Sequence, residues 1–318
     1  MRNQITRMTQ NLPKTLIEAV QYFSDNANCV AFVVEHFWPG GEVCCLKCGS
    51  LSVRAIPGRP QYRCKDCKYD FSVKVGTIFE KSPLSLSKWL PALWLMSNSK
   101  NAISSHELAR ALGVTQKTAW FMSHRIREAM REHSFQKLSG VIEADETFIG
   151  GKDKNRHANK KKHIQHGHGD TTIVLGMVER GGRVTAKVVD SVKARDLKPA
   201  IRENIEQGSV LYTDELQSYR GLQKEYFRDM VNHSEGQYVK GNAHTNTIEN
   251  FWSLFKRGIK GTHIHISPFH LDRYLDDQAF RYTNRKTNDF GRFDLSVSKA
   301  QGKRLTWNQL TGKAANAA

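Results

Sequence analysis

The chain has 318 residues, 39% of them hydrophobic and 9% aromatic, enough for two or three units with proper cores and too apolar for wholesale disorder. A net charge of +17 and a pI near 9.7 favour a polyanionic partner, whose counterions are released on binding. No stretch approaches the roughly 18 apolar residues that span a bilayer, and the N-terminus lacks a signal peptide's apolar core. A cytosolic chain with no membrane partner is therefore expected, and its six cysteines read as metal ligands before disulfides.

In chain order, residues 15–37 read as one amphipathic helix ending at Pro39-Gly40-Gly41, and 1–40 as an N-terminal helical segment. Cysteines and short strand-like pieces follow, giving a small unit over 41–80. The pattern is helical again from 87 to 130, within a region spanning 84–135. Around Gly140 it changes: residues 141–145, 172–179, 183–189 and 210–213 alternate like strands, with helical stretches at 194–207, 218–226 and 244–260. This order predicts an α/β domain with a mixed sheet over 138–288. The stretch 151–170 is charged, His-rich and without periodicity, so it reads as a loop. Residues 289–318 read as a loosely ordered tail.

Cys45-Leu-Lys-Cys48 and Cys64-Lys-Asp-Cys67 are two CxxC pairs separated by 15 residues. Zn²⁺ takes four thiolates in a tetrahedron, and two CxxC turns on facing hairpins deliver them, which makes the metal structural because no position stays open. Gly49 suits the first turn, and Tyr62, Tyr69 and Phe71 are placed to pack around it. Cys44 is an alternative to Cys45, although Cys45 gives the regular spacing; Cys29 reads as core. The competing reading, a redox dithiol, needs a CxxC that opens a helix, and neither does.

Residues 104–120 read as helix, turn, helix. Ser105 is the expected cap of the first helix, with Leu108, Ala109 and Leu112 on its inner face; Gly113 makes the turn and Thr115 caps the second helix. That second helix carries Gln116, Lys117, His124, Arg125 and Arg127, the arrangement of a recognition helix for a DNA major groove. An ordinary helical hairpin has the same pattern. The charge and the adjacent cysteine unit favour DNA, with Gln116, Lys117 and Arg125 as contacts.

Three carboxylates occupy unusual places. Asp145 follows Val-Ile-Glu-Ala in a strand, Asp214 ends Val-Leu-Tyr-Thr, and Glu249 lies on a helix with Ile248, Phe251, Trp252, Leu254 and Phe255. An unpaired buried carboxylate is costly, and three together would suit two Mg²⁺ or Mn²⁺ ions, the usual device for in-line displacement at a phosphodiester. Taken singly, each acid is as readily a turn cap or a lysine partner. Strand alternation puts Glu143 on the side of Asp145 and Glu146 on the other, so Glu143 is a candidate supporting acid.

The set Asp145, Asp214, Glu249, with 34 residues between the last two, resembles the DDE triad of transposases with a ribonuclease-H-like fold. The string from His244 to Gly258, with Asp145-Glu-Thr-Phe-Ile-Gly-Gly151, Tyr212-Thr-Asp214, and His233-Ser followed by Tyr238, resembles bacterial insertion-sequence transposases that carry an N-terminal zinc ribbon. Leu46 departs from the proline often found in the first knuckle. The resemblance spans about residues 15–286. It implies a ribonuclease-H-like catalytic domain behind a zinc ribbon and helix-turn-helix. The chain would bind double-stranded DNA, both terminal inverted repeats and target, as a homo-oligomer on DNA, and would be nucleoid-associated in the cytoplasm. Asp145 and Asp214 would be shared metal ligands, Glu249 the ligand of one metal, Lys256 a phosphate clamp two turns along the same helix, and Arg257 a backbone contact. His244 and Asn246 are candidates to position a phosphate or water. Lys160, Lys161 and Lys162 read as non-specific contacts or solvated surface. A metal site at His163, His166 and His168 is disfavoured by those lysines. Competing readings are a zinc-ribbon transcription regulator, which leaves the carboxylates unexplained, a nuclease that cuts without joining, and an inactive DNA-binding derivative.

Overall fold

Asp25 divides the first predicted helix in two. The computed structural model describes residues 12–132, 136–150, 171–230 and 244–313. Within them, α1 (Leu16–Tyr22) starts on the Thr15 hydroxyl and α2 (Asn26–Phe37) on the Asp25 carboxylate, which accepts from the Ala27 amide. A side chain that caps the next turn competes with continuing the last one, so the chain bends at Phe23–Asp25. Phe23 is fully buried there.

The cysteine segment forms a three-stranded antiparallel sheet, β1 (Val53–Ala55), β2 (Gln61–Cys64) and β3 (Asp70–Ser72). Phe71 stacks between Tyr62 and Tyr69, as expected, with centroids 5.9 Å apart in both pairs. Then come α3 (Leu86–Asn98), whose Trp89, Leu90, Leu93 and Trp94 are buried, and the pair α4 (Ser105–Leu112) and α5 (Gln116–Met130). Ser104, not Ser105, caps α4, in a reciprocal capping box with Glu107. Gly113 makes the turn in the left-handed region at φ 62°, where a side chain would be strained, and Thr115 caps α5.

Residues to Arg131 and from Lys286 form one compact unit, and residues 132–285 another. The second holds β4 (Val141–Ile149), β5 (Thr172–Glu179), β6 (Val184–Val189), α6 (Ala194–Asn204), β7 (Val210–Thr213), β8 (Phe227–Met230), α7 (Asn246–Gly258) and α8 (Leu271–Thr283). Sheet order is β6-β5-β4-β7-β8: the first three strands are antiparallel, and β7 and β8 run parallel to β4. This is the expected ribonuclease-H-like mixed sheet. The period-2 alternation of β4 sends Ile142 and Ala144 into a core with Leu197, Ile201 and Tyr219, and sends Ile149 to the opposite face with Ile248, Phe251, Trp252 and Leu275.

Two further expectations about elements are corrected, and one helix lies outside them. Residues 218–226 are not a helix: two 3₁₀ turns, Gln217–Tyr219 and Leu222–Lys224, flank Gly221 at φ 94° and lead into β8. Helix α8, outside the predicted elements, covers the β6 side of the sheet through Leu271 and Leu275. The C-terminal residues are not a loose tail. Here α9 (Asp289–Ser298) buries Phe293 against Phe32, stacked at 5.6 Å, and Trp94 at 5.1 Å, so its apolar face joins the helical core. Thr77 then bridges Gln301, and α10 (Trp307–Leu310) sets Trp307 edge-on to Trp120 and Phe121 of α5.

Candidate active site and metal centre

The four predicted zinc ligands converge. The Sγ atoms of Cys45, Cys48, Cys64 and Cys67 lie within 4.8 Å of one another, with Cys45–Cys67 and Cys48–Cys64 each 3.6 Å apart. A Zn–S bond of 2.3 Å in a tetrahedron puts sulfurs about 3.8 Å apart, so the donor set fits zinc in type and spacing. Backbone amides of Lys47 and Cys67 donate to the Cys45 and Cys64 sulfurs, the usual support of a knuckle turn. Gly49, at φ 73°, returns its N–H to the Cys45 carbonyl at 2.9 Å. The Cys44 ambiguity resolves: its sulfur accepts from Trp38 Nε1 at 3.3 Å and stands outside the cluster. Cys29 is core, fully buried.

Of the predicted DNA contacts on α5, Gln116 and Lys117 are exposed at its first turn. Gln116 donates to Ser105 Oγ at 2.8 Å, and Lys117 Nζ lies 4.9 Å from the Trp307 ring centre. Arg125 is different. It is 4% exposed, donates to the Glu80 carbonyl at 2.6 Å and stacks near Trp89 and Phe121, so its guanidinium is committed to the interior and not to a groove. Burial brings its pKa down to about 10. His124 and Arg127 are buried as well. Residues 122 to 127 are buried without a break, so this part of α5 is enclosed on every face and its polar side chains lie inside.

In the sheet unit, β4 and β7 pair in parallel through Glu143 and Tyr212, and continuing that register two residues on sets Asp214 beside Asp145. Their proximity is electrostatic as well as geometric. Burial, Glu146 and Asp214 together push Asp145 up to about 7, from an ordinary 3.8. Glu146 is likewise raised to about 7, by burial and by Asp214, against the stabilising hydroxyl of Tyr219. Each acid has a fixed local partner: Trp252 Nε1 donates to Asp145 Oδ2 at 3.0 Å, and the Leu216 amide donates to Asp214 Oδ1 at 3.0 Å. Gly176 lets the indole reach this far, since a Cβ there would meet Trp252 at 2.4 Å.

Glu249 stands one turn from the start of α7, exposed, with Oε1 accepting from the Thr245 hydroxyl at 2.9 Å. Among the described residues the cysteines are the group of three or more ligands whose donor atoms gather within 4.8 Å; the three carboxylates do not. The structure thus brings Asp145 and Asp214 together and leaves Glu249 on the adjoining helix. Lys256 is half-buried and Arg257 exposed in the last turn of that helix. His244 Nδ1 lies 3.2 Å from Glu143 Oε1, directed to a protein carboxylate, while Asn246 is exposed. The His-rich stretch with Lys160, Lys161, Lys162, His163, His166 and His168, and also His233 and Tyr238, lie outside the described residues.

Three participants escaped the sequence reading. Tyr219 bonds Glu146, Trp252 bonds Asp145, and Arg180 bonds Glu143 at 2.6 Å. Each joins residues more than 30 positions apart, which local patterns do not report. Glu146 does point to the other face of the sheet, as alternation predicts, yet its charge still reaches both aspartates.

The comparisons place this chain among the transposases. Residues 137–283 match the ISXO2-like transposase domain and residues 24–70 the transposase zinc-ribbon domain. The chain belongs to the ISXO2-like, DDE-domain transposases that carry a zinc ribbon. It is similar to an uncharacterized transposase-like protein of Haemophilus influenzae, 32% identical over 103 residues, covering 32% of this chain and 82% of that one. It is also similar to an uncharacterized protein in the transposable element ISH50 of Halobacterium salinarum, 28% identical over 232 residues, 68% of this chain and 76% of that one. Among solved structures, the Mos1 strand transfer complex aligns with 67% of this chain and 78% of that one, at 13% identity and a TM-score of 0.28. Among the described residues no helix is long and apolar enough to cross a membrane.

Proposed function

We propose that this transposase binds the terminal inverted repeats of its element and, with two Mg²⁺ or Mn²⁺ ions, cleaves DNA strands and joins them to a target. The observation that carries the reading is the parallel β4–β7 register that sets Asp214 beside Asp145 in a transposase domain, with burial, Glu146 and Asp214 all pushing the Asp145 carboxyl up. Hard carboxylate oxygens repelling one another are the donors a divalent cation suits. Asp145 and Asp214 would hold the ions, and Glu249 would complete one of the two sets from α7. When bound, the ions supply activation of the attacking hydroxyl and stabilisation of the departing oxygen. Trp252 and the Leu216 amide each orient one of the two aspartates. Lys256 holds a phosphate of the DNA end, and Arg257 adds a backbone contact. Gln116 and Lys117, at the exposed start of α5, contact the repeat. The four cysteines hold one structural Zn²⁺. Because two ends must be joined, a homo-oligomer on DNA is the working form, and the DNA partner places it at the nucleoid in the cytoplasm.

The test uses purified full chain, a duplex bearing an element end, Mg²⁺ or Mn²⁺, and a supercoiled target. Joined product is expected from the wild type. Asp145→Asn, Asp214→Asn and Glu249→Gln should each reduce it by roughly 1,000-fold, the scale of losing several kcal/mol of charge stabilisation. Variants joining at the wild-type rate would overturn the assignment, and cutting without joining would favour a nuclease.

A further inference from the structure

We infer that Glu143 is a positioning residue: from strand β4 it caps the helix carrying Glu249 and so sets where that acid stands relative to Asp145. The inference rests on the proposed active site and deepens it.

Helix α7 lacks a cap of its own. Thr245, at the N-cap position, makes no side-chain capping bond, and its hydroxyl goes to Glu249. The helix's orphan amides are satisfied from the sheet: Glu143 Oε2 accepts from Thr247 N at 2.7 Å and Ile248 N at 3.0 Å. Glu143 Oε1 accepts from the Thr247 hydroxyl at 2.8 Å and from Arg180 Nε at 2.6 Å. These four donors, with His244 Nδ1 3.2 Å from Oε1, fill the acceptor directions of the carboxylate, so this acid has nothing left for a cation. It is therefore not the supporting acid its place on the strand suggested.

The carboxylate is completely buried, and a buried charge is tolerable only when paired and fully bonded. Arg180 supplies the pair and, through Nη2, also binds the His244 carbonyl at 2.9 Å, just before the helix begins. The guanidinium lies 4.6 Å from the Tyr212 ring centre on β7. One network thus spans β4, the residue after β5, β7 and the start of α7.

A second pin lies further along. Asp145 is the next residue on the same face of β4, and it bonds Trp252 of α7. Helix α7 is fastened to β4 on both sides of Glu249, at Thr247–Ile248 and at Trp252. Removing the first pin frees the turn that carries Glu249 while the second still holds the helix on the sheet.

The experiment compares wild type, Glu143→Gln and Glu249→Gln as full-length, zinc-loaded chains. Without Mg²⁺, amide exchange in the peptide covering residues 245–252 should be about tenfold faster in Glu143→Gln, the scale of losing charge-assisted bonds to first-turn amides. With Mg²⁺, joining per folded molecule should fall about 100-fold, as a displacement of order 1 Å would cause, while affinity for the DNA end stays at the wild-type value. Unchanged exchange, or wild-type joining per folded molecule while Glu249→Gln is inactive, would overturn the inference. If Glu249→Gln itself joins normally, the active-site reading fails, and the exchange result still decides whether Glu143 caps the helix. Should Glu143→Gln lose the fold, Arg180→Lys carries the same two readings, since it keeps the charge but not the paired bonds to Glu143 and His244.

Discussion

The cysteine cluster and the carboxylate group are the two proposed metal sites, and they are arranged in opposite ways. In the ribbon, four sulfurs already stand at near-tetrahedral spacing, each CxxC turn drawn in by a backbone amide. In the sheet unit, Asp214 lies beside Asp145 and raises its proton affinity, the two are tethered individually to Leu216 and Trp252, and Glu249 stays on its own helix, bonded to Thr245. On the proposed reading, the contrast separates a metal that completes a fold from acids held close at a cost in stability, which cations would relieve.

The largest effect expected from that contrast is on the ribbon. Stripping zinc, or Cys64→Ser, should unfold residues 41–72, since structural zinc is worth on the order of 10 kcal/mol of apparent binding energy. Metal analysis should find one zinc per chain. Limited proteolysis should show the ribbon cut first and the sheet unit spared; equal resistance with and without zinc would erase the distinction.

In the sheet unit the sign reverses. Asp145 is raised to about 7 when folded and is near 3.8 unfolded, so the folded state holds the extra proton between those values. Stability of the metal-free protein should therefore fall as pH rises from about 4 to 7, by on the order of 4 kcal/mol if this group acted alone. Asp145→Asn should flatten that slope and stabilise the metal-free protein at pH 7. Urea unfolding followed through exchange protection of β4 and β5 measures it, and a destabilised Asn variant would mean the carboxylate is structural.

A smaller change sharpens the tether. Gly176→Ala places a methyl 2.4 Å from Trp252 and should cost about 1–3 kcal/mol by overpacking. It should also weaken Mn²⁺ binding by displacing the indole from Asp145, read by metal titration beside thermal unfolding.

The smallest effect lies among the helices of the ribbon's own unit. Burial lowers the His36 pKa, but Asp294 at 2.8 Å and the Phe32 carbonyl outweigh it and hold the imidazole above 6.5. The pair's contribution is fully present below about pH 6.5 and is lost as pH rises through the raised value. Asp294→Asn should remove it, changing stability by at most about 1 kcal/mol in thermal melts at pH 5.5 and 8.5, with a difference only at the lower pH.

Much of this was legible in the residues. The CxxC spacing gave the ribbon ligands, and strand alternation put Glu143 with Asp145 and Glu146 opposite. Boundaries turned on caps, and one wrong register, Ser105 for Ser104, follows from two adjacent serines with equal claims. What stayed hidden is tertiary. Arg125 reads as an exposed cation until the helical core around Trp89 and Phe121 encloses it. The C-terminal residues look polar because only Phe293, Val297 and a few neighbours face inward. Strand β8 is short and exists through pairing with β7, while Arg180 and Tyr219 meet their acids only when the sheet forms.

The most direct test of the account is to titrate Mn²⁺ into the zinc-loaded, full-length chain by electron paramagnetic resonance. Wild type should bind Mn²⁺. Asp145→Asn and Asp214→Asn should each abolish that binding, and Glu249→Gln should weaken it. Mn²⁺ binding that survives unchanged in an Asp145→Asn, Asp214→Asn double variant would contradict the central claim that these carboxylates hold the ions.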